Sequence, residues 1–429
     1  MLIHFPTPYP EETFYSVLCR YYISTGIREM ATVDRELFGG KNGSSICTLY
    51  PNRTIASVMA ELPDGLFDVK GLILNHTSFL YYTRIYDKGT KTAMLKDLAE
   101  GCGEMPAHLW YTYPRMKYSL RYCPLCVKDD TRVFGEPYYH VVHQIPLSCV
   151  CTRHRCRLKQ IRLRNPQKQL VKGYYPLCLM HVENEPDMDI GESEYLISQH
   201  IQEYCIMPLS VGATEGHNNL MQTLFNAGFG TISRKDGIVV ERKKLYSALC
   251  EFYGAELVAQ VFGEKITGDM VNRIKTWECQ LPDRYIMIQA MLGLSSKTVF
   301  DNEPLRDEMY ERLISVPGQG SFTTLKEVSE HLGLREYEVG SLFRQYGLDP
   351  IWQKAAKRKE PTAKAGQFVC HVKQLELEQI RQCAKQLGYS GAGPFALDCI
   401  RYVMEQRGRS EDASNKVYLL GGQQEEPEK

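Results

Sequence analysis

The chain has 429 residues, zero formal net charge and an ordinary globular composition. This length is too great for one hydrophobic core, so we expect roughly two to four domains, and the neutral balance alone does not indicate a nucleic-acid partner. No apolar run approaches the roughly 20 residues that a membrane-spanning helix needs, and Met1–Pro10 lacks the regions of a secretory signal. We therefore expect a cytoplasmic, nucleoid-associated protein with no membrane partner.

The first element predicted along the chain is a helix that begins near Pro10. Proline and the two acids Glu11 and Glu12 are typical of a helix start, and Phe14, Val17, Leu18 and Tyr21 then share one face. Short helices follow, and the pattern changes at 122–158 to Tyr- and Val-rich segments between turns. From about Asn218 the pattern is again helical. The predicted fold is mainly α, multidomain, with small zinc-ribbon β elements and helix-turn-helix modules.

The strongest chemical signal is a CxxC pair followed, after 24 residues, by a CxxH pair: Cys123, Cys126, Cys151 and His154. Each pair has the spacing at which one turn presents both side chains to a tetrahedral zinc ion. Three thiolates and one imidazole leave no open position for water, so such a zinc would be structural. Buried free thiols are the alternative, but they would not need the paired spacing.

Further cysteines and histidines leave part of the metal set open. Cys149, Cys156 or His143 could replace one of the four ligands. Cys178 and His181 form another CxxH pair, which would be half of a second site or an unliganded pair, since two clear partners are missing. Fifteen cysteines, an odd number, seven of which lie between Cys102 and Cys178, favour metal-held thiolates over disulfides.

Local charge is uneven although the total is zero. No Asp or Glu occurs between Pro137 and His181, where Arg153, Arg155 and Arg157 begin a basic run. This segment is either a surface that contacts DNA phosphates or a solvated face of the ribbon.

Residues 324–346 have the pattern of a helix-turn-helix. Leu325, Val328 and Leu332 would bury one helix, Gly333 would allow the turn, and a second helix over 336–346 would follow. The side chains predicted to face a DNA groove are Arg335, Tyr337, Ser341, Arg344 and Gln345. A plain helical hairpin is the alternative.

The remaining C-terminal segments carry weaker signals. Lys354, Lys357, Arg358 and Lys359 form a basic linker or a phosphate-contacting strip. Residues 367–372 followed by two helical patterns are typical either of a ribbon-helix-helix DNA binder or of a helical hairpin. We expect the tail after about Ser410 to be disordered.

Catalytic motifs are absent from the sequence: it contains no P-loop, no GxSxG and no HExxH. We therefore expect no enzyme. A zinc-dependent nuclease or hydrolase would require an open metal position, which a Cys₃His site denies.

Several motifs, in their order along the chain, resemble the TniQ/TnsD family of bacterial transposon target selectors. They are the segment from Pro8 and Pro10 through Glu12, Thr13 and Ser16 to Arg20, then Leu37-Phe38-Gly39, Asn75-His76-Thr77, Arg121-Tyr122-Cys123-Pro124, His143-Gln144 and Val150-Cys151 with His154 and Leu158. The close likeness covers residues 1–160, and the later helices resemble the extension of TnsD-type members more loosely.

The resemblance implies a non-catalytic adaptor that binds double-stranded attachment-site DNA and recruits an AAA+ ATPase, and through it the transposase. The other hypothesis is an adaptor for an RNA-guided CRISPR effector complex. The domain boundaries we predict are a TniQ-type domain at 1–160, a basic connector at 161–215 with an incomplete second ribbon, a helical TnsD-like domain at 216–310, a helix-turn-helix region at 311–410 and a tail at 411–429.

Overall fold

Short helices make up most of the chain. The computed structural model describes residues 2 and 4–352, except for 40–50, 64, 104, 106–118, 164–172, 214–217, 234–236, 279–280, 302, 304 and 317–323, and it also describes residues 374–408. The N-terminal helices are α1 (Phe14–Thr25), α2 (Met30–Phe38), α3 (Thr54–Met59), α4 (Val69–His76), α5 (Phe79–Thr83), α6 (Lys88–Ala99) and α7 (Pro124–Phe134). The helices that follow are α8 (Glu192–Ile206), α9 (Asn219–Leu224), α10 (Arg242–Tyr253), α11 (Ala255–Phe262), α12 (Gly268–Lys275), α13 (Pro282–Met291), α14 (Ser296–Val299), α15 (Glu308–Ile314), α16 (Leu325–Leu332), α17 (Glu336–Gln345), α18 (Gln374–Gln386) and α19 (Ala392–Gly408).

The strands form three small antiparallel pairs in the described chain. Strand β1 (Ser119–Tyr122) pairs with β4 (Lys159–Arg162), β2 (Val150–Cys151) with β3 (Cys156–Arg157), and β5 (Gly230–Ser233) with β6 (Gly237–Val240). The mainly helical prediction with small β elements is therefore confirmed. None of the described helices is both long and apolar enough to cross a lipid bilayer.

The first helix begins later than the sequence pattern predicts. Thr13 is its N-cap, and its hydroxyl accepts a hydrogen bond from the Ser16 N–H. Glu11 and Glu12 lie before the helix and outside its first turn, and Glu11 has a positive φ of 58°. Acids favour helix N-termini, which is why the sequence predicts a helix start at these two residues, but Glu12 accepts a hydrogen bond from Arg20 and Glu11 lies beside Arg153.

One hydrophobic core runs from Leu2 to Phe300. It joins side chains of α1 and α5 to those of α8 and α13, so residues on both sides of positions 160 and 215 share it. A smaller core lies between α15, α16 and α17 and contains Val328, Leu332, Val339, Leu342 and Phe343. The boundaries at 160, 215 and 310 stay predictions, since a shared core does not decide how the chain divides.

A buried guanidinium ties the N-terminal helices to α8. Arg84, fully inaccessible to solvent, follows α5 and donates hydrogen bonds to the carbonyls of Tyr204, Met207, Pro208 and Val211 at 2.6–3.2 Å. Lys91 on α6 also donates to the Val211 carbonyl, at 2.5 Å. Tyr204 lies in the last turn of α8, where carbonyls have no partner within the helix, and the other three carbonyls lie just beyond that helix. The two side chains therefore supply donors to a helix end and to the segment that follows it.

Helix α8 also contacts the later helices and the ribbon. The Tyr204 hydroxyl donates to Gln289 Oε1 on α13 at 3.0 Å, and the Ser198 hydroxyl accepts from the Val150 N–H on β2 at 3.2 Å. Helix α8 therefore contacts the N-terminal helices, helix α13 and the ribbon.

By its internal contacts the chain divides into two compact units, Met1–Ala355 and Ala356–Lys429. In the second unit, α18 and α19 form a hairpin in which Tyr389 and Phe395 are in edge-to-face contact, with ring centroids 5.3 Å apart. The predicted strand at 367–372 and the tail at 411–429 lie outside the described residues.

We expect Arg84→Met to lower the free energy of unfolding by about 3–5 kcal/mol, because the backbone carbonyls at the end of α8 would lose a charged donor and stay buried. Arg84→Lys should recover only part of the loss, since an ammonium group cannot reproduce the planar fork. Chemical denaturation of the full chain measures both. The control is Arg273→Ala, whose side chain is largely exposed in an ion pair with Asp269 and should change stability by no more than about 0.5 kcal/mol. Equal effects of Arg84→Met and the control would contradict the assignment.

Candidate metal centre and its surroundings

Two short structural elements present the four predicted ligands. Cys123 follows strand β1 and is the N-cap of α7, which places Cys126 in the first turn of that helix. Cys151 ends strand β2, and His154 lies in the turn before strand β3. The CxxC and CxxH spacings therefore each span one turn, as predicted, and both turns face the same point.

The ligand atoms of Cys123, Cys126, Cys151 and His154 all lie within 4.8 Å of one another, so this cluster can hold a metal ion. The Cys126 and Cys151 sulfurs are 3.7 Å apart, and His154 Nδ1 lies 3.4–3.6 Å from the three sulfurs. A tetrahedral zinc with arms of about 2.3 Å to sulfur and about 2.0 Å to nitrogen predicts edges of about 3.8 and 3.5 Å. The donor set therefore fits such an ion.

An acidic residue on α7 orients the histidine. Asp129 Oδ2 lies 3.1 Å from His154 Nε2, which leaves Nδ1 directed at the sulfurs. Carboxylate partners of this kind fix the tautomer of metal-bound histidines. Sequence reasoning missed Asp129. The available signal was a carboxylate three residues after Cys126, one helical turn along α7.

The Cys123 sulfur is the most strongly hydrogen-bonded of the group. It accepts the Cys126 N–H at 3.4 Å, and contacts with the Cys126, Cys151 and Cys156 side chains lower the pKa of Cys123. The thiolate form is thus favoured at Cys123, whereas contacts with the Cys123 side chain raise the pKa of Cys126 and Cys151.

A buried arginine holds the two ligand pairs in register. Arg121 on β1 donates to the carbonyls of Ile145, Pro146 and Ser148 at 2.5–2.9 Å, just before strand β2. The Gln144 side chain accepts from the Arg121 N–H and donates to the Arg121 carbonyl. These contacts explain why Arg121 and Gln144 occur in motifs at the entry and exit of the ribbon.

The N-terminal motif forms a polar cluster beside the ribbon. Glu12, fully buried, accepts from Arg20 at 2.9 Å and from the Tyr9 N–H at 2.8 Å. Arg20 also donates a hydrogen bond to Glu136 at 2.8 Å. Its guanidinium carbon Cζ lies 3.7 Å from the centroid of the Tyr9 ring. Burial raises the pKa of Glu12 to about 7, although the Arg20 charge acts in the opposite direction.

Two histidines link this cluster to neighbouring motifs. His76 Nδ1 is 2.7 Å from the Glu12 carbonyl, and His140 Nε2 is 2.9 Å from Asp130 Oδ2 on α7. The motifs that are far apart in the sequence are therefore in direct contact.

The second candidate site does not form among the described residues. Cys178 and His181 are both exposed, and no described third ligand joins them. Of the three possible replacement ligands, Cys149 is outside the sulfur cluster and His143 packs against His140, with ring centroids 4.9 Å apart. Cys156 belongs to the sulfur cluster, although it is not one of the four grouped ligands.

The three arginines of the acid-free segment contact carboxylates that lie elsewhere in the sequence. Arg157 forms a bidentate pair with Glu194 at 2.7 and 2.9 Å, Arg155 lies 3.5 Å from Glu192, and Arg153 lies 3.4 Å from Glu11. The charges of these three arginines are therefore partly compensated by Glu192 and Glu194 on α8 and by Glu11.

The predicted groove-facing side chains divide into two sets. Arg335 and Arg344 are exposed and Tyr337 is half-buried, and the Arg335 guanidinium donates to the Tyr337 hydroxyl at 2.8 Å. Ser341 is buried and Gln345 half-buried, and both line a cleft of about 570 Å³ beside strand β6 and Trp277. Lys354, Lys357, Arg358 and Lys359 lie outside the described residues.

Comparison with known proteins gives one family match and one relative. Residues 3–158 match the family model described as TniQ, and the metal-ligand cluster lies inside that range. Over 155 residues the chain is 24% identical to the Transposon Tn7 transposition protein TnsD of Escherichia coli, and the match covers 35% of this chain and 30% of that protein. The chain therefore carries a TniQ domain, and it spans less than a third of the relative that it matches.

We expect a graded response of metal binding to two substitutions. Asp129→Ala should weaken metal affinity about 10–100-fold and leave the ribbon folded, because only the orientation of His154 is lost. Cys126→Ser should release the metal and unfold the ribbon, since it removes a ligand. Competition with a chromogenic zinc chelator measures affinity, and circular dichroism measures folding. Lys128→Ala, an exposed neighbour on α7, is the control. If Asp129→Ala and Lys128→Ala bind the metal equally tightly, Asp129 does not orient His154 for metal binding.

The raised pKa of Glu12 predicts a pH-dependent stability. A carboxyl whose folded-state pKa is about 7 contributes stability that is full below about pH 4.5 and is lost as the pH rises through about 7. We expect Glu12→Gln, which mimics the protonated acid, to remove at most about 3 kcal/mol of this dependence. Unfolding free energies from pH 4.5 to 7.5 measure it, with the exposed Glu100→Gln as the control. A dependence of opposite sign would show that the Arg20 ion pair outweighs burial.

Proposed function

From the presence of a TniQ domain over residues 3–158, we propose that this protein is a non-catalytic target-site selector of a transposon. The observation that carries this proposal is the family match, which includes the metal-ligand quartet and the polar cluster around Glu12 and Arg20. The similarity to a protein named for transposition gives it further support.

The metal that we propose for Cys123, Cys126, Cys151 and His154 is a structural zinc ion. Three sulfurs and one nitrogen are the donors that zinc prefers, and their separations suit tetrahedral coordination. Zinc would supply cross-linking between the two turns and no reaction chemistry, because all four positions are filled by protein. The TniQ domain would then be a rigid platform for partners.

The partners that we propose are double-stranded attachment-site DNA, an AAA+ ATPase transposition regulator and, through it, the transposase. Helices α16 and α17 are joined by three residues, as in a helix-turn-helix, and Gly333 adopts a φ of 63° at the turn. Arg335 and Arg344 are the exposed cations of α17 and its cap that could reach DNA. The buried Ser341 would need a conformational change to do so.

A second candidate is an adaptor for an RNA-guided CRISPR effector. The observation that favours it is the charge of the helix pair: Glu336 and Glu338 lie in the first turn of α17, the end that a recognition helix directs at base edges. Carboxylates there repel phosphates. A protein partner would suit this surface better than free duplex.

The experiment that separates the two candidates is a genome-fragment pulldown with the purified full chain at near-physiological salt. One sharp peak in the sequenced DNA would support direct site selection, and its affinity should fall with salt while the preferred site persists. A flat profile would overturn direct reading and support the adaptor.

If a peak is found, we expect Arg344→Ala to weaken binding to that site by about 1–3 kcal/mol and to relax sequence preference, provided that Arg344 contacts a base. Quantitative binding to the site and to point-mutated sites measures this. Lys96→Ala removes the same charge from an exposed position on α6 and is the control. Equal affinities for the two variants would remove α17 from the interface.

A further inference from the structure

Cys156 is a fifth potential donor beside the four ligands. Its sulfur lies 3.3 Å from the Cys123 sulfur, and the residue is fully buried. Strand pairing explains the position: in the antiparallel β2–β3 pair Cys156 is directly opposite Cys151, the third ligand. The hairpin that presents Cys151 and His154 thus also brings a further thiol to the cluster.

Cys156 is buried in the same side-chain cluster as the three ligand cysteines. The compact cluster around it contains Cys123, Cys126, Cys151, Cys156 and Leu158, with Leu125 packed against it. The Cys156 sulfur is not among the four atoms that all lie within 4.8 Å of one another, but it is buried and in contact with a ligand sulfur, so it lies directly beside the site. Cys149, only two residues before Cys151, is half-buried and does not belong to this cluster.

His154 is the least buried of the four proposed ligands. Its side chain is 16% exposed, whereas the three ligand cysteines are almost fully buried, and Asp129, which holds its other nitrogen, is 43% exposed. A tetrahedral ion accepts only four donors, so five candidates make one of them redundant. The two candidates for the fourth position are the partly exposed imidazole of His154 and the buried thiol of Cys156.

We propose that Cys156 is a reserve metal ligand that replaces His154 and converts the Cys₃His site into a Cys₄ site. This inference rests on the proposed zinc site. In the exchange the bond to the His154 nitrogen is lost, a bond to the Cys156 sulfur forms, and the Cys156 thiol gives up one proton to the freed imidazole. In a variant without the imidazole, that proton passes to solvent. The metal compartment would then survive loss of its one nitrogen ligand.

The test uses the full chain loaded with Co²⁺ in place of zinc, because the thiolate-to-cobalt absorption reports the number of sulfur ligands. Wild type and Cys156→Ser should have the same three-sulfur spectrum. His154→Ala should keep the metal, and its charge-transfer intensity should rise by about one third as a fourth sulfur binds. His154→Ala with Cys156→Ser should lose the metal to a chelator that His154→Ala withstands.

The matched control is His154→Ala with Cys149→Ser, which removes a neighbouring cysteine outside the cluster and should behave as His154→Ala does. The proposal is overturned if His154→Ala unfolds, loses metal as readily as the double variant, or keeps a three-sulfur spectrum. A wild-type protein that binds neither Co²⁺ nor zinc would instead contradict the zinc site itself. Failure of the reserve ligand and failure of the site are thus distinguishable.

Discussion

The larger unit depends on the donors that reach buried backbone carbonyls at the C-terminal end of α8 and in the segment just beyond it, from Tyr204 to Val211. Buried acceptors without donors would each cost free energy, and here the guanidinium of Arg84 and the ammonium of Lys91 satisfy them from the N-terminal helices. Because α8 also packs on α13 and bonds to strand β2, this single helix end couples the TniQ domain to the helices that follow it. The orientation of the TniQ domain is therefore set by its contacts with the helices that follow it.

The ribbon follows a different principle. At its ligand end the ribbon has a cluster of four cysteines and one leucine with one further leucine against it, which is little apolar surface. Strand β1 also contributes Leu120 and Tyr122 to the larger core. Metal coordination can replace a core of this size, since binding free energy becomes folding free energy. Arg121 and Gln144 then fix the register of the two ligand pairs through backbone contacts.

Several arginines pair with carboxylates that are distant from them in the sequence. The basic run from Arg153 to Arg157 meets Glu11, Glu192 and Glu194 in space, so these arginines connect the ribbon to α8 and to the N-terminal segment. Such pairs leave less free positive potential for phosphates. Among the side chains predicted to face a DNA groove, the exposed cations are Arg335 and Arg344, and binding measurements, not net charge, decide between the two candidate functions.

Local spacing along the chain accounts for part of the structure. The four clustered Cys and His side chains, the mainly helical class and the buried Val328 and Leu332 of α16 follow from periodicity and from the one-turn reach of CxxC and CxxH. Tertiary structure alone decided which distant groups meet: Asp129 with His154, Arg84 with the end of α8, Cys156 with Cys123, and the carboxylates with the basic run. It also placed Glu11 and Glu12 outside the helix that they were expected to start. The physical reason is that local patterns encode which face of an element is buried, whereas hydrogen bonds and ion pairs between elements depend on how separate elements pack.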